Sequence, residues 1–301
     1  MIIKIPLRIS FIGGGTDFPH YFERETGLSV STTFNQYAYI TDDVEKWQGI
    51  NNHKDLIQAA QTFYSSDKPL KVASDMPPGS GLGTSSAICV GLSKMLAPYW
   101  RSYDSEYLAQ SAIEIERNIA DIPGGYQDQY TAAYPGTNKF IWRKDKVYIE
   151  PIKLNYNLQQ HLLLVNTKVT RRQNELMNNQ ISSTINQDND KALNAIKIQA
   201  NQFIKALKDK DISELGWILY RSWQEKKKLA QGINIPELEE FEDKVWKKIK
   251  SVYGFKLMGA GGGGYILVIC KNRYDTAIEL ATLGYESYKP ALVDSGQVII
   301  P

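Results

Sequence analysis

Cysteine is nearly absent. The 301-residue chain holds two, Cys89 and Cys270, both inside apolar runs. Two cannot build a disulfide scaffold, so they read as small buried hydrophobes in a reducing compartment. Histidine is almost as scarce, and His20, His53 and His161 lie too far apart in sequence for metal-ligand spacing, which argues against a zinc centre. Neither sign of charge dominates: 35 basic against 33 acidic residues leave a formal net charge of +2. That excludes nucleic-acid binding by bulk charge but permits a local basic pocket for a phosphate. No apolar run reaches the roughly 18–20 residues of a membrane span. The opening Met1-Ile2-Ile3-Lys4-Ile5-Pro6 reads as a strand rather than a signal peptide, so a cytoplasmic protein with no membrane partner is expected.

What is present suits an ordinary globular protein, with 43% hydrophobic and 23% charged residues. The length fits one large or two medium domains with cores that need no staple. Residues 1–12 read as a strand. The β-rich stretches 28–32 and 37–41, separated by Phe34-Asn35-Gln36, suggest a hairpin. Helices are expected over 54–64, from Ser85 to Ala97 before Pro98, and from an N-cap at Asp104 or Ser105. In the last of these, Leu108, Ala112, Ile115 and Ile119 recur at helical spacing as a buried face, with Glu116 beside it. Leu162-Leu163-Leu164-Val165 reads as a buried strand. Helices follow over 170–187, 189–208, 213–229 and 236–250, then strands at Tyr265–Ile269 and Val298–Ile300.

The segment Pro77-Pro78-Gly79-Ser80-Gly81-Leu82-Gly83-Thr84-Ser85-Ser86-Ala87 runs straight into a helix. Glycines let backbone approach an anion, and the helix offers unpaired N–H groups and its positive dipole end. Three hydroxyls add ligands for phosphate or Mg²⁺. No Gly-Lys-Ser/Thr ends the segment, so it is not a Walker loop. It resembles the nucleotide loop of the GHMP kinases. Pro6-Leu7-Arg8-Ile9-Ser10-Phe11-Ile12-Gly13-Gly14-Gly15-Thr16-Asp17 resembles that superfamily's N-terminal motif, and Lys256-Leu257-Met258-Gly259-Ala260-Gly261-Gly262-Gly263-Gly264 its C-terminal motif. The resemblance implies a two-domain α+β fold. Residues 1–155 would form a ribosomal-protein-S5-like nucleotide domain and residues 156–301 a ferredoxin-like domain closing over the substrate. The implied cofactors are ATP and Mg²⁺.

The same resemblance implies roles residue by residue. ATP would lie on Pro78, Gly79, Ser80, Gly81, Leu82, Gly83, Thr84, Ser85 and Ser86. Mg²⁺ would be held by Ser85 and Glu116. Asp128 would be the base toward the acceptor hydroxyl. Arg8 would keep that carboxylate ionised and stabilise charge on the transferred phosphoryl group. Ser10, Gly14, Gly15, Thr16, Asp17 and Gly125 would contact the acceptor, and Gly261 and Gly262 would bring backbone to it. Galactokinase-like chains carry Glu-His where this chain has Gly14-Gly15, which predicts room for a bulkier sugar or direct backbone contact. Trp47 and Tyr64 are candidates for the adenine, with core packing the plainer use of each.

The N-terminal string resembles one branch, the heptose 7-phosphate kinases, which act on an anomeric hydroxyl in making nucleotide-activated heptose. A substrate already carrying phosphate needs cations away from the nucleotide. Lys168, Thr170, Arg171 and Arg172 supply a basic loop before a helix. Three other readings are a kinase of free fucose or galactose, a non-catalytic sensor of the same fold, and a mevalonate diphosphate decarboxylase. The complete set Arg8, Ser85, Glu116 and Asp128 argues against the sensor, and the sugar-kinase-like N-terminal motif against the decarboxylase.

Overall fold

The computed structural model describes residues 1–44, 53–99, 104–169, 173–296 and 298–300. Among these, no helix is long and apolar enough to cross a membrane. The first half comprises β1 (Ile2–Ile12), α1 (Pro19–Phe22), β2 (Gly27–Thr41), α2 (Lys54–Tyr64), β3 (Lys71–Ser74), α3 (Thr84–Leu96), α4 (Ser105–Ile113), α5 (Gln127–Ala133), β4 (Asn138–Trp142) and β5 (Val147–Pro151). The second comprises β6 (Leu162–Asn166), α6 (Gln173–Ile185), α7 (Asp190–Asp209), α8 (Ile212–Lys226), α9 (Pro236–Phe241), β7 (Val252–Leu257), β8 (Tyr265–Cys270), α10 (Arg273–Thr282), β9 (Ser287–Tyr288) and β10 (Val298–Ile300).

The first sheet runs β10-β1-β2-β4-β5, with β3 also on β2. Its last strand comes from the far end of the chain and pairs antiparallel with β1. The second sheet runs β7-β8-β6-β9, the β-α-β-β-α-β plan of a ferredoxin-like unit. A continuous apolar core joins β1, β2, α3, α4 and α5 to Phe203 and Leu215 of α7 and α8. The Phe11 and Phe203 rings meet at 5.5 Å. Both cysteines are buried and unbridged.

Two sequence expectations need correction. Phe34-Asn35-Gln36 is not a hairpin turn. It lies within the single strand β2, where the register steps from Pro6↔Tyr37 to Leu7↔Phe34, so Asn35 and Gln36 form a bulge. Pro6 has no N–H to give the ladder there, and bulges absorb such defects. The returning chain satisfies the bulge: Asn35 N–H donates to the Ala291 carbonyl, and Asn35 Oδ1 accepts from Ala291 N and the Tyr288 hydroxyl.

The second correction concerns Ile119, which is 37% exposed rather than part of a buried stripe. Asp104 caps α4 as expected, accepting from Tyr107 N. The helix then widens into a π-turn over Glu114–Ile119, with Ala120 N bonded to Ile115 O. The extra residue per turn rotates the pattern. Ile119 turns outward, and Glu116 turns into the protein at 1% exposure.

Candidate active site

The loop before α3 is an anion cradle by its backbone. Gly83 sits at the α3 N-cap with φ +77°. A Cβ there would lie 2.9 Å from Arg8 Cγ, and one at Gly81 would lie 2.7 Å from the Met258 carbonyl oxygen. Both domains therefore press on this loop, and only glycine fits those two positions. The hydroxyls of Ser80 and Thr84 are buried with no hydrogen-bond partner. Buried polar atoms are normally satisfied, so such orphans beside the dipole end of a 13-residue helix mark a place for an anion. The second domain closes the loop's other side, where Tyr265 N donates to Ser80 O at 3.1 Å.

Arg8, 3% exposed, ties the loop to a carboxylate from another element. Its backbone N donates to Leu82 O, and its guanidinium donates to Gly81 O. The same guanidinium grips Asp128 with two bonds, Nε to Oδ1 at 2.7 Å and NH2 to Oδ2 at 2.5 Å. Paired parallel bonds of this kind fix orientation as well as charge. Asp128 lies in the first turn of α5, but the N-cap position is Tyr126, so Asp128 is not the cap. The capping work falls to Asp17: its Oδ2 accepts from Gln127 N at 3.0 Å, and its Oδ1 accepts from Gly15 N at 2.8 Å. Asp17 thus pins the turn that presents Asp128. Burial raises the Asp17 carboxyl above its ordinary range, the N–H groups of Gln127 and Gly15 oppose that, and the negative Asp128 adds to it.

Glu116 forms the third corner. Its Oε2 accepts from the Ser86 hydroxyl at 2.7 Å and the Gln129 amide at 2.6 Å, and Arg117 NH1 stands 3.3 Å from Oε1. The Arg117 guanidinium also donates to the carbonyls of Ile122 and Gly125 and so holds the loop between Glu116 and Asp128.

Two adjoining cavities meet here. One is lined by Pro78, Gly79, Ser80, Gly81, Gly83, Thr84 and Ser85 with His53. The other carries Arg8, Ser10, Gly14, Gly15, Asp17, Glu116 and Gly125. Both are lined by Ser85, Ile122 and Asp128. The glycine loop and the carboxylate therefore share one cleft. A larger groove of about 910 Å³ along Tyr134–Asn138 and Pro151–Gln159 contains none of these residues.

Several expected residues sit elsewhere. Thr16 is fully buried, with its hydroxyl spent on Gly13 O, Leu28 O and Leu28 N, so it faces no substrate. The Leu82 side chain is in the core, and only its carbonyl reaches the site. Gly261 and Gly262 pack on Ile233, with Gly262 N donating to its carbonyl. The cleft is lined instead by Gly259 and Ala260. The hydroxyl that reaches Glu116 belongs to Ser86, while Ser85 lines the cleft. Gly14 and Gly15 line the cleft; a Cβ at the first would approach Lys226 Nζ at 3.4 Å, and one at the second would crowd Leu193 and Leu229. Lys168 lies outside the cleft, on the surface, 3.7 Å from Glu286. Tyr64 packs on the core. Trp47, Thr170, Arg171 and Arg172 lie outside the described residues.

Sequence reasoning missed Gln129, Arg117, Gln180, Lys226 and Lys256, and gave Ser86 to the nucleotide with no contact to Glu116. Gln129 adjoins Asp128, so adjacency was the available signal. Lys256 opens the C-terminal motif, yet its role needs the tertiary structure: Nζ donates to Ser10 O at 3.0 Å and Phe11 O at 3.2 Å, across the two domains. Burial pushes the Lys256 ammonium well below the ordinary lysine range, Lys226 and Arg8 push the same way, and Asp128 opposes. Between the depressed folded pKa and the unfolded value near 10.4, the native state holds fewer protons than the unfolded one, so stability rises with pH through that window. The urea midpoint of the wild type is expected to climb relative to Lys256→Met as the pH rises toward about 10. Parallel midpoints would contradict this.

Residues 51–136 match the GHMP kinases N terminal domain and residues 203–282 the GHMP kinases C terminal domain. The chain is 29% identical over 299 residues to a D-glycero-alpha-D-manno-heptose 7-phosphate kinase of Campylobacter jejuni, covering 87% of each chain. It is 23% identical to a Thermotoga maritima galactokinase, over 90% of this chain and 89% of that one. A crystal structure of a D-glycero-D-manno-heptose 1-phosphate kinase from Bacteroides thetaiotaomicron superposes with a TM-score of 0.74 at 25% identity, covering 98% of this chain and 97% of that one. With both family domains in order, an α+β fold of matching architecture and a glycine loop facing a carboxylate, the chain belongs to the GHMP kinases, among their sugar kinases.

Proposed function

We propose that the protein transfers the γ-phosphoryl group of ATP to the anomeric hydroxyl of a sugar phosphate, D-glycero-D-manno-heptose 7-phosphate, giving the 1,7-bisphosphate. The observation that carries this reading is the Arg8–Asp128 pair, fixed to the glycine loop in a shared cleft. Similarity to a heptose 7-phosphate kinase over most of the chain supports the acceptor.

Phosphoryl transfer asks chiefly for positioning and charge stabilisation. Backbone N–H groups of the loop and the α3 N-terminus cradle the triphosphate, and the Ser80 and Thr84 hydroxyls gain partners from it. Asp128, held by Arg8, accepts the proton of the attacking hydroxyl on a carboxylate oxygen. Arg8 then faces both the base and the charge that develops during transfer. The donor set fits Mg²⁺, a hard cation that takes carboxylate and hydroxyl oxygens beside phosphate. Ser85 and Glu116 would hold it, and it would neutralise charge on the β- and γ-phosphates. Asp17 sets the angle at which α5 delivers Asp128.

Arg171 and Arg172 are proposed to receive the substrate's own phosphate. Changing both to Ala is expected to raise the KM for sugar phosphate by about tenfold or more while the KM for ATP stays near the wild-type value. An unchanged sugar KM would remove that role.

The activity itself is tested by ADP release over a panel of sugars and sugar phosphates. Turnover on heptose 7-phosphate well above that on free fucose or galactose is expected. Equal or faster turnover of a free sugar would favour the unphosphorylated-sugar kinase, and no ADP with any acceptor would favour the sensor.

A further inference from the structure

Resting on the reading of the cleft as a sugar site, we propose that Gln180 is a specificity residue, whose side-chain carbonyl oxygen accepts a hydrogen bond from an acceptor hydroxyl other than the one that is phosphorylated. Gln180 belongs to α6 and lines the cleft with Arg8, Asp17, Asp128 and Ala260. Met177, on the same face one turn earlier, lines it too. Gln180 is 1% exposed. Its Nε2 donates to the Ala260 carbonyl at 2.8 Å, and its Oε1 is buried with no hydrogen-bond partner.

The Ala260 contact decides which amide atom is left over. Turning the amide end for end would set Oε1 against the Ala260 oxygen, two acceptors face to face, so nitrogen belongs on Ala260 and oxygen is the atom without a partner. The backbone that carries it is held in place. Leu176 and Thr184, one turn to either side, are buried, and the Thr184 hydroxyl donates to Gln180 O at 2.8 Å. Buried side-chain oxygens are normally satisfied, and a bare one costs free energy that a bound donor recovers. A carbonyl oxygen accepts and cannot donate, so it repels a phosphate oxygen and calls for an O–H. Gln127, 2% exposed at the start of α5, lines the same cleft, and its Nε2 is likewise buried without a partner. Walls contributed by α5 and α6 therefore leave one donor and one acceptor unmatched, a pattern that a polyhydroxylated acceptor completes.

The test is a cycle of changes in enzyme and substrate. For wild type and Gln180→Met, kcat/KM is measured by ADP release with heptose 7-phosphate and with each of its monodeoxy analogues. On the parent sugar, Gln180→Met is expected to lose about 10–100-fold, with the KM for ATP within about twofold of wild type. One monodeoxy analogue should lose about as much with the wild type and suffer no further loss with Gln180→Met, while the other analogues keep the full effect of the substitution. A residue that only props Ala260 would lower all substrates alike, so equal losses across the series overturn the role. A Gln180→Met that handles the parent sugar as well as the wild type also overturns it and leaves Oε1 to a water. Thermal midpoints and binding of an ATP analogue check folding, and Gln180→Ala takes the place of Gln180→Met if that variant does not fold. A wild type indifferent to the loss of every hydroxyl overturns the role without any variant. If a free sugar and not heptose 7-phosphate is the substrate, the acceptor reading fails alone, and the same cycle on that sugar and its monodeoxy analogues judges Gln180. If no acceptor yields ADP, the activity reading has failed and takes this role with it.

Discussion

Replacing Asp128 with Asn is expected to leave nucleotide affinity near the wild-type value and to cut kcat by a factor of about 10²–10⁴. The amide matches the carboxylate in size and can still accept one bond from the Arg8 guanidinium, so the loop that Arg8 supports through Gly81 and Leu82 stays in place. What the amide cannot do is take a proton from the attacking hydroxyl. The loss should therefore fall on kcat and not on the KM for ATP, which separates a base from a binding group. Steady-state rates with an ATP analogue titrated by calorimetry supply both halves of the comparison. Near-normal turnover would reduce Asp128 to a positioning residue.

Arg8→Met is expected to be worse, because it strikes binding, chemistry and folding together. The guanidinium makes two bonds to Asp128 and one to the loop. Its side chain is almost wholly buried, and Asp128 is 27% exposed. Removing one member of such a pair leaves a carboxylate partly out of water without its matched cation, at a cost of about 3 kcal/mol. The KM for ATP should rise because the loop loses its strut, and kcat should fall by about 10²-fold or more because Asp128 is no longer aimed. Arg8→Lys keeps the charge but not the planar fork, so it should recover stability more than rate. A denaturant midpoint and a kcat both close to wild type in Arg8→Met would show that this pair does not organise the site.

Local chemistry made part of this site legible. The proline, glycines and hydroxyls of residues 77–87 specify a loop before a helix whatever surrounds them, and the helix begins at Thr84, one residue before the expected Ser85. Asp104 likewise announces its own helix start. Other features depend on partners distant in sequence. Glu116 enters the site because a π-turn rotates the helix, and periodicity counted at 3.6 residues per turn cannot register an added residue. The β2 bulge depends on residues 288–291, more than 250 positions away, which fill it with hydrogen bonds. Asp17 reads as a sugar contact from its motif but acts as a cap for a helix that starts at residue 127. Lys226 carries no motif at all; only the packing of α8 against the Gly13–Gly15 turn makes it a cleft residue.

The most direct measurement is a crystal structure of the wild-type protein with a non-hydrolysable ATP analogue, Mg²⁺ and sugar phosphate bound together. The expected result has the triphosphate seated on the backbone N–H groups of residues 79–86 and the acceptor hydroxyl about 2.6–3.2 Å from an Asp128 carboxylate oxygen. A triphosphate bound outside that loop, or an acceptor hydroxyl directed away from Asp128, would contradict the account.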